Sequence, residues 1–238
     1  MGQYPDGLFG PLLIHDPNPP FEFDEHLTIT FMDWYHEEMP SLIHQYQSRS
    51  GAASDGTPNP VGSLINLSKN AKIHVKPNTT YYVHIICPGN YPGHAFLFDQ
   101  HPMTTVEIDG TYVQPQLIVG GDEGNARVAP GQRQGVLLRT KPTADRNYGI
   151  LTVMDANMLF INKGIRPPPK EYPMNCTAHL VYDDKLPLPG PPVIQKLGNL
   201  FFWDDLDYVP LNGEPLLGPV DHQIILETTA QNTSGVSR

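Results

Sequence analysis

The sequence predicts an all-β domain of many short strands, and three observations carry that expectation. Proline and glycine are abundant, at 26 and 21 of 238 residues, and follow no repeating period. Such a mixture punctuates a chain with turns and leaves little room for long helices. The apolar fraction of 39% is too high for wholesale disorder, so the prolines mark loops around a packed core. Short apolar and β-branched runs also recur at regular intervals between turn residues, the pattern of a sandwich or barrel. A single domain of this length buries a sizeable core.

The elements follow in order. Residues 8–14 form an apolar run between Pro5-Asp6-Gly7 and Pro17-Asn18-Pro19-Pro20, read as a short buried strand. Residues 27–32 alternate β-branched and other side chains and form the next strand. Apolar positions at Trp34, Tyr35, Met39, Leu42, Ile43 and Tyr46 suit one short helix, limited by Pro40. Residues 48–63 are polar and glycine-rich, hence an exposed loop.

Strands are then expected at 73–75, 80–86, 95–98, 104–108, 116–119, 135–139, 148–154 and 178–182, with a hairpin turn at Asp109-Gly110. Residues 163–212 hold the proline runs Arg166-Pro167-Pro168-Pro169 and Leu186-Pro187-Leu188-Pro189-Gly190-Pro191-Pro192. They read as an extended, semi-rigid connector lying over the domain. Residues 222–227 look like one more strand.

Charge excludes several function classes. A formal net charge of −10, from 15 basic and 25 acidic residues with no basic cluster, disfavours nucleic acid and anionic membranes as partners. No run of 18 apolar residues is present to span a bilayer. Two cysteines, Cys87 and Cys176, are too few for a disulfide framework or a thiolate metal site; they either pair with each other or stay free. Sequons at Asn66, Asn78, Asn175 and Asn232 make these N-glycosylation candidates and point to a secreted parent protein. The first residues lack a signal-peptide core. Together these features read as a piece of a longer chain whose secretion signal lies upstream.

Ten histidines invite a metal hypothesis, but no H-x-H or H-x-x-x-H pair exists to align two imidazoles. Cys87, His94, His101 and Met103 offer the ligand types of a blue-copper site. Their spacing, broken by Pro88 and Pro92, does not suit one tight ligand loop. Surface or hydrogen-bonded histidines are the expectation. Nucleophile elbows, P-loops and dinucleotide fingerprints are absent. The acidic pairs Glu37-Glu38, Asp183-Asp184 and Asp204-Asp205 read as solvated charge.

An ordered set of segments resembles the multicopper oxidases, the laccase and ferroxidase family. The opening stretch from Gly2 to Ile14, Asp33-Trp34-Tyr35-His36, Ser63-Leu64-Ile65-Asn66, the segment His101-Pro102-Met103-Thr104-Thr105-Val106-Glu107-Ile108-Asp109-Gly110, and Gln132-Arg133 fall in family order. Asp221-His222 resembles the entry to the third domain.

The resemblance implies a cupredoxin-like Greek-key β-sandwich over residues 1–162, with one short helix. It also implies a Pro-rich connector over 163–220 and the start of a third cupredoxin domain at 221–238. The parent enzyme would couple one-electron oxidation of a small reducing substrate to reduction of O₂ to water at copper. The family's copper ligands lie in H-x-H motifs of flanking first and third domains. This middle domain is therefore expected to bind no copper and to be inactive alone.

The resemblance further implies that loops 51–62 and 88–94 contribute to a substrate pocket through Asp55, Gly56, Pro88, Asn90 and Tyr91. Cys87-Pro88-Gly89-Asn90-Tyr91 resembles a laccase segment in which Pro88 replaces a phenol-contacting aspartate. The ferroxidase pattern's two iron-binding acids fall near Asp55 and at Phe160. With one acid replaced by phenylalanine, an organic substrate is expected. The alternatives are a fragment of a ferroxidase and a copper-free binding module.

Overall fold

The computed structural model describes residues 2–48, 58–119, 125–159, 169–190, 207–213 and 220–227, and the backbone of 232–233 and 236–237. Two sheets face each other. The first has six strands in the order β2-β1-β4-β9-β6-β7: β1 Glu25–Trp34, β2 Gly62–Ile65, β4 Thr80–Ile86, β6 Met103–Ile108, β7 Thr111–Ile118 and β9 Arg133–Arg139. The second has five, β3-β11-β10-β5-β8: β3 Lys72–His74, β5 His94–Phe98, β8 Ala126–Val128, β10 Tyr148–Met154 and β11 Asn175–Val181. Pairing is antiparallel except for β1 with β4 and β11 with β3. A two-stranded ladder joins β12 (Asn232–Thr233) to β13 (Val236–Ser237).

The core follows from two-residue alternation along each strand. Ile29 and Phe31 of β1, Tyr81, Val83 and Ile85 of β4, Val136 and Leu138 of β9, and Ile150, Ala178 and Leu180 opposite all join one buried cluster. Cys87 and Cys176 belong to the same cluster and are both free thiols, so they do not pair.

Several expectations are corrected. Residues 8–14 form no strand: Leu8, Leu12 and Ile14 are 71%, 83% and 85% exposed, and the run has no ladder partner among the described residues. Residues 222–227 are likewise outside any strand, with Ile224, Ile225 and Leu226 exposed. An apolar run becomes a buried strand only where a neighbour supplies hydrogen bonds and cover. The helix, α1, begins later than its apolar spacing suggested, at Met39–Gln47. Pro40 sits in its first turn, where the missing N–H costs nothing. Residues 25–34 are instead one long strand. β2 emerges from the end of the polar loop, and β8 was not expected.

β11, the strand expected at 178–182, lies between β10 and β3. Beyond it, residues 209–211 cover the open edge of β7: Gln114 N–H donates to the Val209 carbonyl and Leu211 N–H to that of Tyr112, both at 2.8 Å. Covering an edge in this way removes a pairing template for other chains. Among the described residues no helix is long and apolar enough to cross a membrane.

Candidate functional site at the end of strand β1

The line Ile29, Phe31, Asp33 runs along one face of β1 and Tyr35 follows just past the strand's end, so a carboxylate and a phenol reach the rim of the core. Asp33 is fully buried and Tyr35 nearly so. Ser63 of β2 pairs with Asp33 across the ladder and is buried on the same face. Beside them, the parallel β1–β4 ladder ends at Thr30 with Ile86. Continuing that register would bring Met32 beside Pro88 and Asp33 beside Gly89. Pro88 has no N–H to give, and the ladder stops.

The Asp33 side chain takes over from the ladder. Its Oδ1 accepts the Asn90 N–H at 2.7 Å. A methyl group on Gly89 would lie 2.7 Å from that oxygen and 3.4 Å from Cys87 Sγ, so the close approach requires glycine. Burial holds the Asp33 carboxyl above the usual carboxylate range, opposed by the Asn90 N–H and the nearby Tyr35 hydroxyl. Burial, reinforced by the Asp33 charge, raises the Tyr35 phenol well above its ordinary value. Cys87 is pushed up to about 12, chiefly by burial, which keeps it an inert thiol. Asp33 Oδ2, the Tyr35 hydroxyl and Ser63 Oγ are buried without a well-formed hydrogen bond among the described residues.

Two further segments converge here. Val61 N–H donates to the Trp34 carbonyl at 2.7 Å, and the Tyr172 hydroxyl donates to the Pro60 carbonyl. The end of one expected pocket loop, 58–62, and the start of the other, 88–91, thus both anchor on Asp33 and Trp34. Pro88 is half-buried, Asn90 exposed and Tyr91 half-buried. Asp55, Gly56 and Phe160 lie outside the described residues. Tyr172 could not be singled out from the sequence: it sits in the proline-rich stretch, and only the chain's return across β10 brings it to Pro60.

A cavity of about 540 Å³ lies elsewhere, between residues 12–19 and the outer face of the six-stranded sheet. Alternation places His26, Tyr82 and His84 on that face, opposite to the core side. Nδ1 of His15 lies 3.2 Å from Nε2 of His26, and Nδ1 of His26 lies 2.9 Å from Nε2 of His84. Two N···N contacts thus link the three rings in a row, through both nitrogens of His26. The three do not converge on a common point.

The blue-copper candidates do not come together. Cys87 and Met103 lie in the apolar core. His94 faces Thr152 Oγ1 at 3.2 Å. His101 is held between the Asp99 carbonyl at 2.6 Å and the Tyr182 hydroxyl at 2.8 Å. Among the described residues no group of three or more His, Cys, Asp or Glu side chains adopts metal-ligand geometry. Cys87, His94, His101 and Met103 therefore do not fit a shared copper ion.

The fold, two sheets with a parallel first pair and a long crossover order, is that of a cupredoxin-like domain. The multicopper oxidase family model matches residues 25–165, and the chain belongs to the multicopper oxidase family. It is 34% identical to the iron transport multicopper oxidase FET3 of Gibberella zeae and 33% identical to the iron transport multicopper oxidase fetC of Epichloe festucae. Both matches cover 97% of this chain and 35% of the relative, so the chain spans about a third of the length of these relatives.

The crystal structure of Fet3p, a multicopper oxidase that functions in iron import, superposes on 99% of this chain and 42% of its own with a TM-score of 0.83, at 28% identity. The Botrytis aclada laccase structure matches 83% of this chain and 35% of its own with a TM-score of 0.63, at 23% identity, a likeness of fold.

Proposed function

We propose that this chain is the middle domain of an iron-handling multicopper oxidase. The observation that carries the reading is the near-complete overlap, in sequence and in backbone, with iron-transport members of the family. The sequence alone leaned towards an organic substrate, because Phe160 replaces one iron-binding acid, although Pro88 replaces the phenol-contacting aspartate of laccases. The named relatives favour ferrous iron as the electron donor instead.

In this reading the sandwich is a scaffold between two copper-bearing domains, and residues 163–220 form the Pro-rich connector that packs on it and leads to the second of them. Loops 51–62 and 88–94, including Asp55, Gly56, Pro88, Asn90 and Tyr91, face the substrate. Copper held by the flanking domains supplies the one-electron chemistry and the reduction of O₂. The exposed apolar side chains at Tyr4, Leu8, Leu12 and Ile14, and at Ile224, Ile225 and Leu226, are where those domains pack. The parent is secreted, and Asn66, Asn78, Asn175 and Asn232 are its glycan sites within this chain.

The test is reconstitution. The purified chain is expected to contain well under one copper and to consume no O₂ with ferrous iron or a phenol. Joined to the copper-bearing domains encoded in its reading frame, it should gain both. Stoichiometric copper and O₂ uptake by the chain alone would overturn the proposal.

A further inference from the structure

We infer that Asp33 is the positioning residue for the 88–91 loop, setting the substrate-side position of Pro88, Asn90 and Tyr91. The inference rests on the reading that this loop faces the substrate.

Three observations support it. The loop begins where the β1–β4 ladder ends at Ile86, so its backbone loses the sheet's hydrogen bonds. The side chain of Asp33 replaces them, since Oδ1 accepts the Asn90 N–H at 2.7 Å from a fully buried position. A carboxylate accepting a backbone N–H is among the stronger hydrogen bonds available, and burial removes the competing water. Gly89 then lets the loop backbone close on the carboxylate, with no room for even a methyl group.

The Asp33 backbone is itself fixed in β1. It sits opposite Ser63 in the β1–β2 ladder, one position from the Trp34–Gly62 pair beside which Val61 docks. Asp33 therefore ties the 88–91 loop to the strand that also holds the end of the 58–62 loop. A shift of either loop alone would break one of two short hydrogen bonds, to Asp33 or to Trp34. Asp33 touches no substrate in this account; it acts through the loop.

The test has two readouts. The first is hydrogen exchange at the Asn90 amide in the chain itself, for Asp33→Ala and Asp33→Asn. Asp33→Ala removes the acceptor and should accelerate exchange at Asn90 by about tenfold or more while the core strand β9 stays protected. Asp33→Asn keeps a carbonyl acceptor and should restore most of the protection. The second readout is steady-state oxidation of ferrous iron by an oxidase carrying this chain as its middle domain. Asp33→Ala should raise KM by about tenfold with kcat and the copper absorption unchanged.

Unchanged exchange at Asn90 in Asp33→Ala would overturn the positioning role. Faster exchange with an unchanged KM would leave Asp33 as the loop's anchor and overturn the reading that the loop faces substrate. Should Asp33→Ala fail to fold, Gly89→Ala pushes on the same contact from the loop side. It should give the same pair of changes, and normal exchange and normal KM in that variant would overturn the inference.

Discussion

The Tyr82 hydroxyl donates to Glu107 Oε2 at 2.7 Å, and the bond passes directly over Gly135 of the central strand β9. A methyl group at position 135 would lie 2.7 Å from that oxygen and closer still to the phenol oxygen. Glu107 is also held by the Gly110 N–H at 2.7 Å, so it cannot step aside without opening the hairpin turn. Gly135→Ala should therefore destabilise the domain by about 1–3 kcal/mol, the usual range for overpacking. Urea unfolding measures it, and a change below about 0.5 kcal/mol would contradict the packing described.

Acid should weaken the fold through His94. This histidine is fully buried in β5, and burial pushes its pKa down to about 4 from 6.5. A lowered folded-state value means the unfolded chain binds the proton more tightly. The stability tied to neutral His94 is present above pH 6.5 and is lost as pH falls from there towards 4. The size is about 3 kcal/mol over that window. His94→Asn removes the titration, so its stability should vary less between pH 7 and 4.5 than the parent's. Equal slopes for the two proteins would refute the assignment.

The histidine row should also respond to pH. His26 is lowered by burial and then by His15; His84 is lowered by burial and then by His26, with Glu107 opposing. Both shifts favour the neutral rings, so the contact between the 12–19 segment and β4 is strongest above pH 6.5 and fades below it. Four of the six ring nitrogens flank two N···N gaps that hold one proton each, and the two outer nitrogens can each carry one more. One extra proton fits on the row, whereas a second sets two N–H groups against each other. Relative to its intrinsic rate, amide exchange in residues 12–19 should therefore quicken from pH 7 to pH 5, and His26→Phe should abolish that dependence. Segment exchange that tracks only the intrinsic pH effect in both proteins would count against the row.

Asn66 is expected to matter for folding even without a glycan. Its side-chain oxygen accepts the Thr30 N–H at 2.7 Å and its amide donates to the Thr28 carbonyl at 3.3 Å, extending the β1 edge where β2 has turned away. Asn66 has φ of +47°, a conformation that asparagine tolerates better than most residues. Asn66→Ala should cost about 1–2 kcal/mol in urea unfolding. Asn175→Ala, at an exposed strand start, should cost under about 0.5 kcal/mol. Equal costs at the two sites would show that the Thr28 and Thr30 bonds add nothing.

Much of this was legible in the sequence, and the rest fails for identifiable reasons. Strands such as Thr80–Ile86 and Tyr148–Met154 announce themselves because their apolar, β-branched residues fill a core that the strand itself defines. The runs at 8–14 and 222–227 look the same locally, yet burial depends on neighbours that a single run does not encode. β2 was hidden because its four residues follow a polar loop and need β1 as a partner. At the site, the landmark containing Asp33 was visible, but its contact with Asn90 arises from a parallel register between strands about 55 residues apart. Single-sequence patterns carry no register.

The most direct test of the central claim is the ratio of kcat/KM for ferrous iron to that for a phenol, measured on the oxidase that contains this chain as its middle domain. An iron-handling enzyme should favour ferrous iron by at least about tenfold, a difference of about 1.4 kcal/mol in transition-state stabilisation. A ratio reversed in favour of the phenol would contradict the account and return the chain to an organic-substrate oxidase.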